Sequence, residues 1–198
     1  MVKCAEWART KNIPFLGICL GLQVAVIEYA RNVCGMAKAD SAEFNEESEQ
    51  PAIVYMPEID KTKMGGTMRL GKRPTLFQQG TEWSKFRKLY GDKKEIWERH
   101  RHRYEVNPDL VEDLESAGLS FIGKDESGKR MEVIELKDHR WYVGVQFHPE
   151  YVSRVITPSK SFLGFFAAAA GCLEEITQTS QGAHESQLEV RPKVTLVS

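Results

Sequence analysis

The chain has 198 residues, 41% hydrophobic and 28% charged, with 27 lysines and arginines against 28 aspartates and glutamates. That length fits one domain with a sizeable core, and the balanced charge gives no global field to draw the protein onto nucleic acid or an anionic membrane. The longest apolar stretch, Phe162 to Cys172, falls short of the ~20 residues of a spanning helix and the first residues do not open like a secretory signal, so the expectation is a cytoplasmic protein without membrane or nucleic-acid partners.

Taken in chain order, residues 3 to 12 carry apolar positions at helical spacing until Asn12 and Pro14 break them. Ile13 to Ile18 reads as a short buried strand and Leu20 to Val33 as a helix whose polar exceptions are Gln23, Glu28, Arg31 and Asn32. Strand, tight turn and helix in succession point to an α/β sheet. Residues 38 to 50 read as an acidic surface loop, "PAIVYMP" as a strand, and "KMGGTMRLGKRP" (63 to 74) as a mobile loop with too little apolar content to anchor a core. Trp83 to Tyr90 is a short amphipathic helix. In "WERHRHRYEVNP" (97 to 108) alternation puts Arg99, Arg101 and Arg103 on one face and His100 and His102 on the other, the pattern of a solvated edge strand. "LVEDLESAGL" is a helix closed by Gly118; "SFIGKD", "RMEVIEL" and "WYVGVQF" form an antiparallel meander; "SKSFLGFFAAAAGCLEEI" is a final helix. Residues 177–198 have no core pattern and are expected to be a disordered tail, leaving residues 1–176 as the domain.

Two segments carry possible chemistry. Gly17-Ile18-Cys19-Leu20-Gly21 has the G-x-nucleophile-x-G form of a nucleophile elbow, in which a strand turns sharply into a helix and glycines avoid a clash at the turn. The helix N-terminus favours a thiolate, so the Cys19 pKa is expected to fall. A small apolar residue buried in a core is the other reading of Cys19. In "GVQFHPEY" (144 to 151), Pro149 ends a strand and leaves His148 at its tip, where Glu150 can fold back on the imidazole: a base and its orienter. Cys4, Cys19, Cys34 and Cys172 lie far apart without C-x-x-C spacing, which favours reduced thiols. His100 and His102 have no third ligand at suitable spacing in the sequence, so no metal is expected. Trp97 and Trp141 read as core or turn residues.

"PFLGICLGLQ" together with "GVQFHPE" resembles the class I (triad) glutamine amidotransferases. The resemblance implies Cys19 as nucleophile, His148 as general base and Glu150 as its orienter, with Gln23 and the Leu20 N–H contacting substrate. "SAEF", "MGGTMRLG" and "ERHRHRYEVNP" are similar to the CTP synthase branch in particular, which implies Glu43 on the glutamine α-amino group and Arg103 on its α-carboxylate. It further implies a lid over which GTP activates, with Thr67 and Arg69 as contacts. The implied fold is an α/β amidotransferase sheet with flanking helices and an antiparallel extension. No cofactor is implied for this domain. ATP, UTP and Mg would belong to a separate synthetase domain, the partner that receives ammonia in a homo-oligomer, a tetramer in the resembled enzymes.

The chain departs from the resembled pattern in two ways. Only about a dozen residues precede the elbow strand, so the fold is expected to be incomplete at its N-terminus and to lack the glycine-rich loop that gives a second oxyanion N–H, a loss of about 100-fold to 1000-fold. There is also no G-x-x-x-x-G-K-[ST] loop, so CTP formation by this chain alone is not expected, and poor glutaminase activity is. The alternatives are a non-catalytic regulatory or assembly module of the same fold, and another triad amidotransferase.

Overall fold

The segment from Phe15 to Asn32 forms strand, turn and helix, as its pattern predicts: β1 (Phe15–Ile18) runs directly into α2 (Leu20–Asn32). Before it, α1 (Val2–Lys11) ends at Asn12, whose left-handed backbone (φ 53°) closes the helix. The computed structural model describes residues 1–56 and 68–178. The remaining elements are β2 (Ala39–Ser41), β3 (Gln50–Tyr55), β4 (Arg69–Phe77), α3 (Lys85–Leu89), β5 (Glu95–His102), β6 (Tyr104–Val106), α4 (Val111–Ser116), β7 (Ser120–Lys124), β8 (Met131–Glu135), β9 (Tyr142–Val145) and α5 (Lys160–Ala170).

Six strands form a mixed sheet in the order β1-β9-β8-β7-β4-β5, and β2-β3-β6 form a smaller sheet. The expected meander is present, with β7, β8 and β9 antiparallel in sequence. β1 joins it in parallel on β9, with Ile18 opposite Val145. That register matters most for function, because parallel strands end on the same side. The residues that follow β1 and β9, Cys19 and Gln146 onward, therefore emerge together.

Alternation along the strands feeds two cores, one on each face of the sheet. Phe121, Ile134 and Tyr142 face α2 and α4, while their neighbours Ile122, Val133 and Val143 face α3 and α5. The α5 backbone crosses close to Trp141: a Cβ added at Gly164 would lie 2.1 Å from the indole ring, so only glycine permits the approach.

Four expectations change. Residues 69–74, read as a mobile loop, are part of β4, which pairs with β5 from Arg69 opposite His102 to Leu76 opposite Glu95. The ladder, with a long-range partner, supplies the stabilisation that local apolar content lacks. Pro74 is tolerated there because β7 reaches β4 only at Leu76 and Phe77. The acidic loop contains β2, and the final helix breaks at Gly171 (φ 78°). Trp97 is half exposed, whereas Trp141 is fully buried. Of the expected tail, residues 177–198, Thr177 and Gln178 are instead helical, and residues 179–198 lie outside the described residues.

Candidate active site

Cys19 stands at the junction of β1 and α2 with φ 51° and ψ −102°, a conformation that L-residues avoid and that nucleophile elbows use. Its N–H is tied to the Val145 carbonyl at 2.7 Å. The two flanking glycines differ. A Cβ at Gly17 would meet the Gly21 backbone at 2.6 Å, so glycine is required there, but a Cβ at Gly21 would meet nothing within 4 Å. The expected clash at both positions thus holds only at Gly17.

The turn after β9 carries His148, whose backbone N–H is held by the Arg99 carbonyl of β5 at 2.8 Å. Its Nδ1 lies 2.7 Å from Glu150 Oε1. A carboxylate oxygen only accepts, so Nδ1 carries the hydrogen and Nε2 is left to accept a proton. Nε2 is buried without a hydrogen-bond partner among the described residues.

A cavity of about 220 Å³ opens on Cys19 and is also lined by Leu20, Gln23, Glu43 and Arg103. The structure thus gathers the proposed nucleophile and all four proposed substrate contacts from three separated segments. Phe44, Met68, Arg101, His102 and Tyr104, to which the sequence reading gave no role, complete the wall. Gln146 was also passed over; its Nε2 lies 3.5 Å from the Cys19 sulfur. The available signal was a polar side chain within the apolar strand "WYVGVQF", where it is almost completely buried.

The Cys19 thiol is pushed up to about 11, chiefly by burial and further by the Glu43 and Glu150 carboxylates; the Leu20 N–H and Gln146 act in the opposite direction. This reverses the expected fall. A helix N-terminus is worth ~0.3–1 kcal/mol at exposed sites, less than the 1.36 kcal/mol of one pKa unit, so burial wins. With the cavity empty, alkylation of Cys19 by iodoacetamide should keep accelerating beyond pH 10; a plateau near pH 8, followed by mass spectrometry of the Cys19 peptide, would contradict this.

The solvated-edge reading of β5 holds for one face only. Arg99, Arg101 and Arg103 are exposed, while Glu98, His100 and His102 are buried. His100 Nδ1 lies 3.2 Å from His102 Nε2 and 3.5 Å from Glu132 Oε2, so β8 supplies the third group at ligand spacing that the sequence did not reveal. Burial drives His100 down to about 2 and His102 to about 4, with help from Arg69. The same positive charge opposes a dication. Arg69 already faces Glu132 at 3.3 Å, and the His102 Nδ1–H donates to the Tyr104 carbonyl at 3.1 Å. The cluster is better described as a buried polar anchor for β5, with hydrogen bonds between the two histidines and to Tyr104 and with Glu132 held at ion-pair distance, than as a metal centre. Arg69, expected to contact GTP, is turned inward with its side chain 9% exposed. Thr67, its expected companion, lies outside the described residues.

The chain matches the family Glutamine amidotransferase class-I over residues 1–168 and belongs to it. Within that class its similarity is to CTP synthases. It is 62% identical over 178 residues to a CTP synthase of Neurospora crassa, covering 90% of this chain and 31% of the relative. It is 59% identical to one of Schizosaccharomyces pombe, covering 91% and 30%. A solved Trypanosoma brucei CTPS glutaminase domain with bound acivicin superposes with a TM-score of 0.79 at 41% identity, covering 86% of this chain and 65% of that one. The chain thus spans about a third of the length of its curated relatives.

Proposed function

We propose that the chain hydrolyses glutamine through Cys19, His148 and Glu150, as the glutaminase part of a CTP synthase, and supplies ammonia to a synthetase domain that uses ATP to aminate UTP. The observation that carries this reading is the single cavity in which Cys19 lies with Glu43 and Arg103. An amino acid is a zwitterion, and one anionic and one cationic side chain are the complement of its α-ammonium and α-carboxylate. The cavity is smaller than the ~300–1,000 Å³ of drug-sized sites, which suits a ligand of this size.

The electrostatics support a substrate-triggered nucleophile. Glu43 is one of the charges that hold the Cys19 thiol protonated. An α-ammonium on Glu43 offsets that charge as glutamine arrives. His148 Nε2 then takes the thiol proton, sulfur attacks the side-chain amide carbon, and the Leu20 N–H at the start of α2 stabilises the oxyanion. His148 returns the proton to the departing ammonia and activates the water that cleaves the thioester. Activation by GTP belongs to the same proposal, with its contacts left to residues other than the inward-facing Arg69.

The test is labelling with a diazo-ketone analogue of glutamine, with the adduct located by mass spectrometry. A stoichiometric adduct on Cys19, lost in Cys19→Ala and diminished in Arg103→Ala, is expected. A folded chain that takes no adduct would instead be a non-catalytic member of the family.

A further inference from the structure

We propose that Gln146 is a further catalytic residue, whose amide N–H holds the Cys19 sulfur, and that the Tyr104 carbonyl fixes the direction of that hydrogen bond by acting through Gln23. The inference rests on Cys19 being the nucleophile and adds a residue to which the triad and substrate contacts give no part.

The two ends of a carboxamide have nearly the same shape, so a buried glutamine beside a sulfur can offer it either a donor or an acceptor. Here the neighbours decide. A peptide carbonyl can only accept, and the Tyr104 carbonyl lies 3.0 Å from Gln23 Nε2. Gln23 must therefore turn its NH2 group toward Tyr104. The second hydrogen of that group serves Gln146, whose Oε1 lies 3.2 Å away. Gln146 must present oxygen to Gln23, which leaves its own NH2 group for the Cys19 sulfur at 3.5 Å. Reversing Gln146 would set two NH2 groups against each other and an oxygen against the sulfur. Gln23 and Gln146 are 3% and 1% exposed, so water has little access to repair such a mismatch.

The chain of polarity begins further back. His102 Nδ1 also donates to the Tyr104 carbonyl, which pins that carbonyl between β5 and α2. The buried histidine thus acts on the nucleophile through four hydrogen bonds rather than by contact.

Several groups surround the sulfur. α2 contributes the Leu20 N–H, the segment after β2 contributes Glu43, and the turn after β9 contributes the charge of Glu150, on which His148 Nδ1 is held; neither His148 nor Glu150 lines the cavity itself. From β5 and the residue that follows it, Arg101, His102 and Arg103 face the same cavity. The two carboxylates oppose the thiolate, while Leu20 and Gln146 direct N–H groups at it. Gln146 is the side-chain donor that compensates for the two carboxylates, Glu43 of the zwitterion site and Glu150 beside His148.

The rate of Cys19 alkylation by iodoacetamide at pH 8.5 tests this, with Cys34 in the same chain as reference. Losing one hydrogen bond to a charged group lowers the thiolate population about 10- to 100-fold. The rise in nucleophilicity that accompanies a higher thiol pKa returns about 3-fold per tenfold, so Gln146→Met should react about 3- to 10-fold more slowly. Gln146→Glu keeps the side-chain shape and the acceptor facing Gln23 but turns an oxygen to the sulfur; it should be at least as slow. Gln23→Met frees Gln146 to rotate and should give part of the loss. Wild-type rates at Cys19 in folded Gln146→Met or Gln146→Glu would overturn the role of Gln146, and a wild-type rate in Gln23→Met would overturn the control by Tyr104. Iodoacetamide needs no glutamine pocket, so a chain that shows these effects yet takes no diazo-ketone adduct would refute the glutaminase reading alone.

Discussion

Glu28→Ala is expected to cost about 3–5 kcal/mol of folding stability, the range for removing one partner of a buried ion pair. Glu28 lies on α2 and is completely buried, and both its oxygens are engaged: Arg9 Nε donates to Oε2 at 2.9 Å and Arg9 Nη2 to Oε1 at 2.7 Å. Asn32 Nδ2 adds a bond to Oε1 at 3.0 Å. The Arg9 guanidinium also lies over the Tyr29 ring, 5.7 Å from its centroid, so one fork fixes α1 against α2. Loss of the carboxylate leaves a partly buried cation with no counter-charge, which places the loss toward the lower end of that range. With a urea slope of about 1–3 kcal/mol per molar, the unfolding midpoint should fall by roughly 1–5 M, about 2 M at the middle of both ranges. Replacing both partners by apolar residues, as in R9M with E28L, should recover most of the loss, because the cost comes from the stranded charge. A single variant with an unchanged midpoint, or a double variant no better than the single, would show that the pair contributes little.

The elbow was legible in the sequence because its constraints are local. Gly17 must be small where the chain doubles back, and the change from strand to helix period at Cys19 is visible over a few residues. His148 and Glu150 were legible for the same reason, since Pro149 forces the turn between them. β4 was not legible, because its partner begins about twenty residues later and the pairing, rather than the composition of "MRLGKRP", makes it a strand. The burial of His100 and His102 was hidden in the same way: alternation separated them correctly from the arginines, but which face met the core depended on Glu132 in β8. Two buried glutamines were visible as polar interruptions in apolar elements. Gln23 read as an exception to amphipathicity and, by resemblance, as a substrate contact, and Gln146 had no reading; in both cases this overlooked that a polar group inside a core must be satisfied, and that its partners locate a site. The thiol pKa was misread because the helix terminus was weighed and burial was not.

These points share a geometrical cause. The parallel pairing of β1 with β9 sets Cys19, the proposed nucleophile, beside Gln146, and β5 lines the same cavity. Through three successive outward residues, β5 holds the proposed base, His148, with the Arg99 carbonyl, sets the Arg101 carbonyl 4.0 Å from the sulfur, and leads to the exposed Arg103 that follows it. Its inward histidines anchor it on Glu132. A defect in that anchor should therefore disturb base, nucleophile and substrate contact together.

The largest catalytic effect is expected at His148. His148→Ala should reduce glutamate release from glutamine by about 10²–10⁴-fold, the usual contribution of a positioned acid–base group. The thiol it serves sits near 11 with the cavity empty, so without an internal base the thiolate fraction at neutral pH is very small. Glu150→Gln should cost less, because it leaves Nε2 in place and weakens only the hold on Nδ1, a bond of 2.7 Å. The order of the two variants matters as much as the size of either loss. If Glu150→Gln proved as damaging as His148→Ala, the carboxylate would have a role beyond orienting the ring. If His148→Ala kept more than about a tenth of the wild-type rate, His148 would not be the base. Raising the pH separates the remaining possibilities. In His148→Ala the residual rate should climb as hydroxide replaces the missing base, whereas a rate lost through misfolding would not recover.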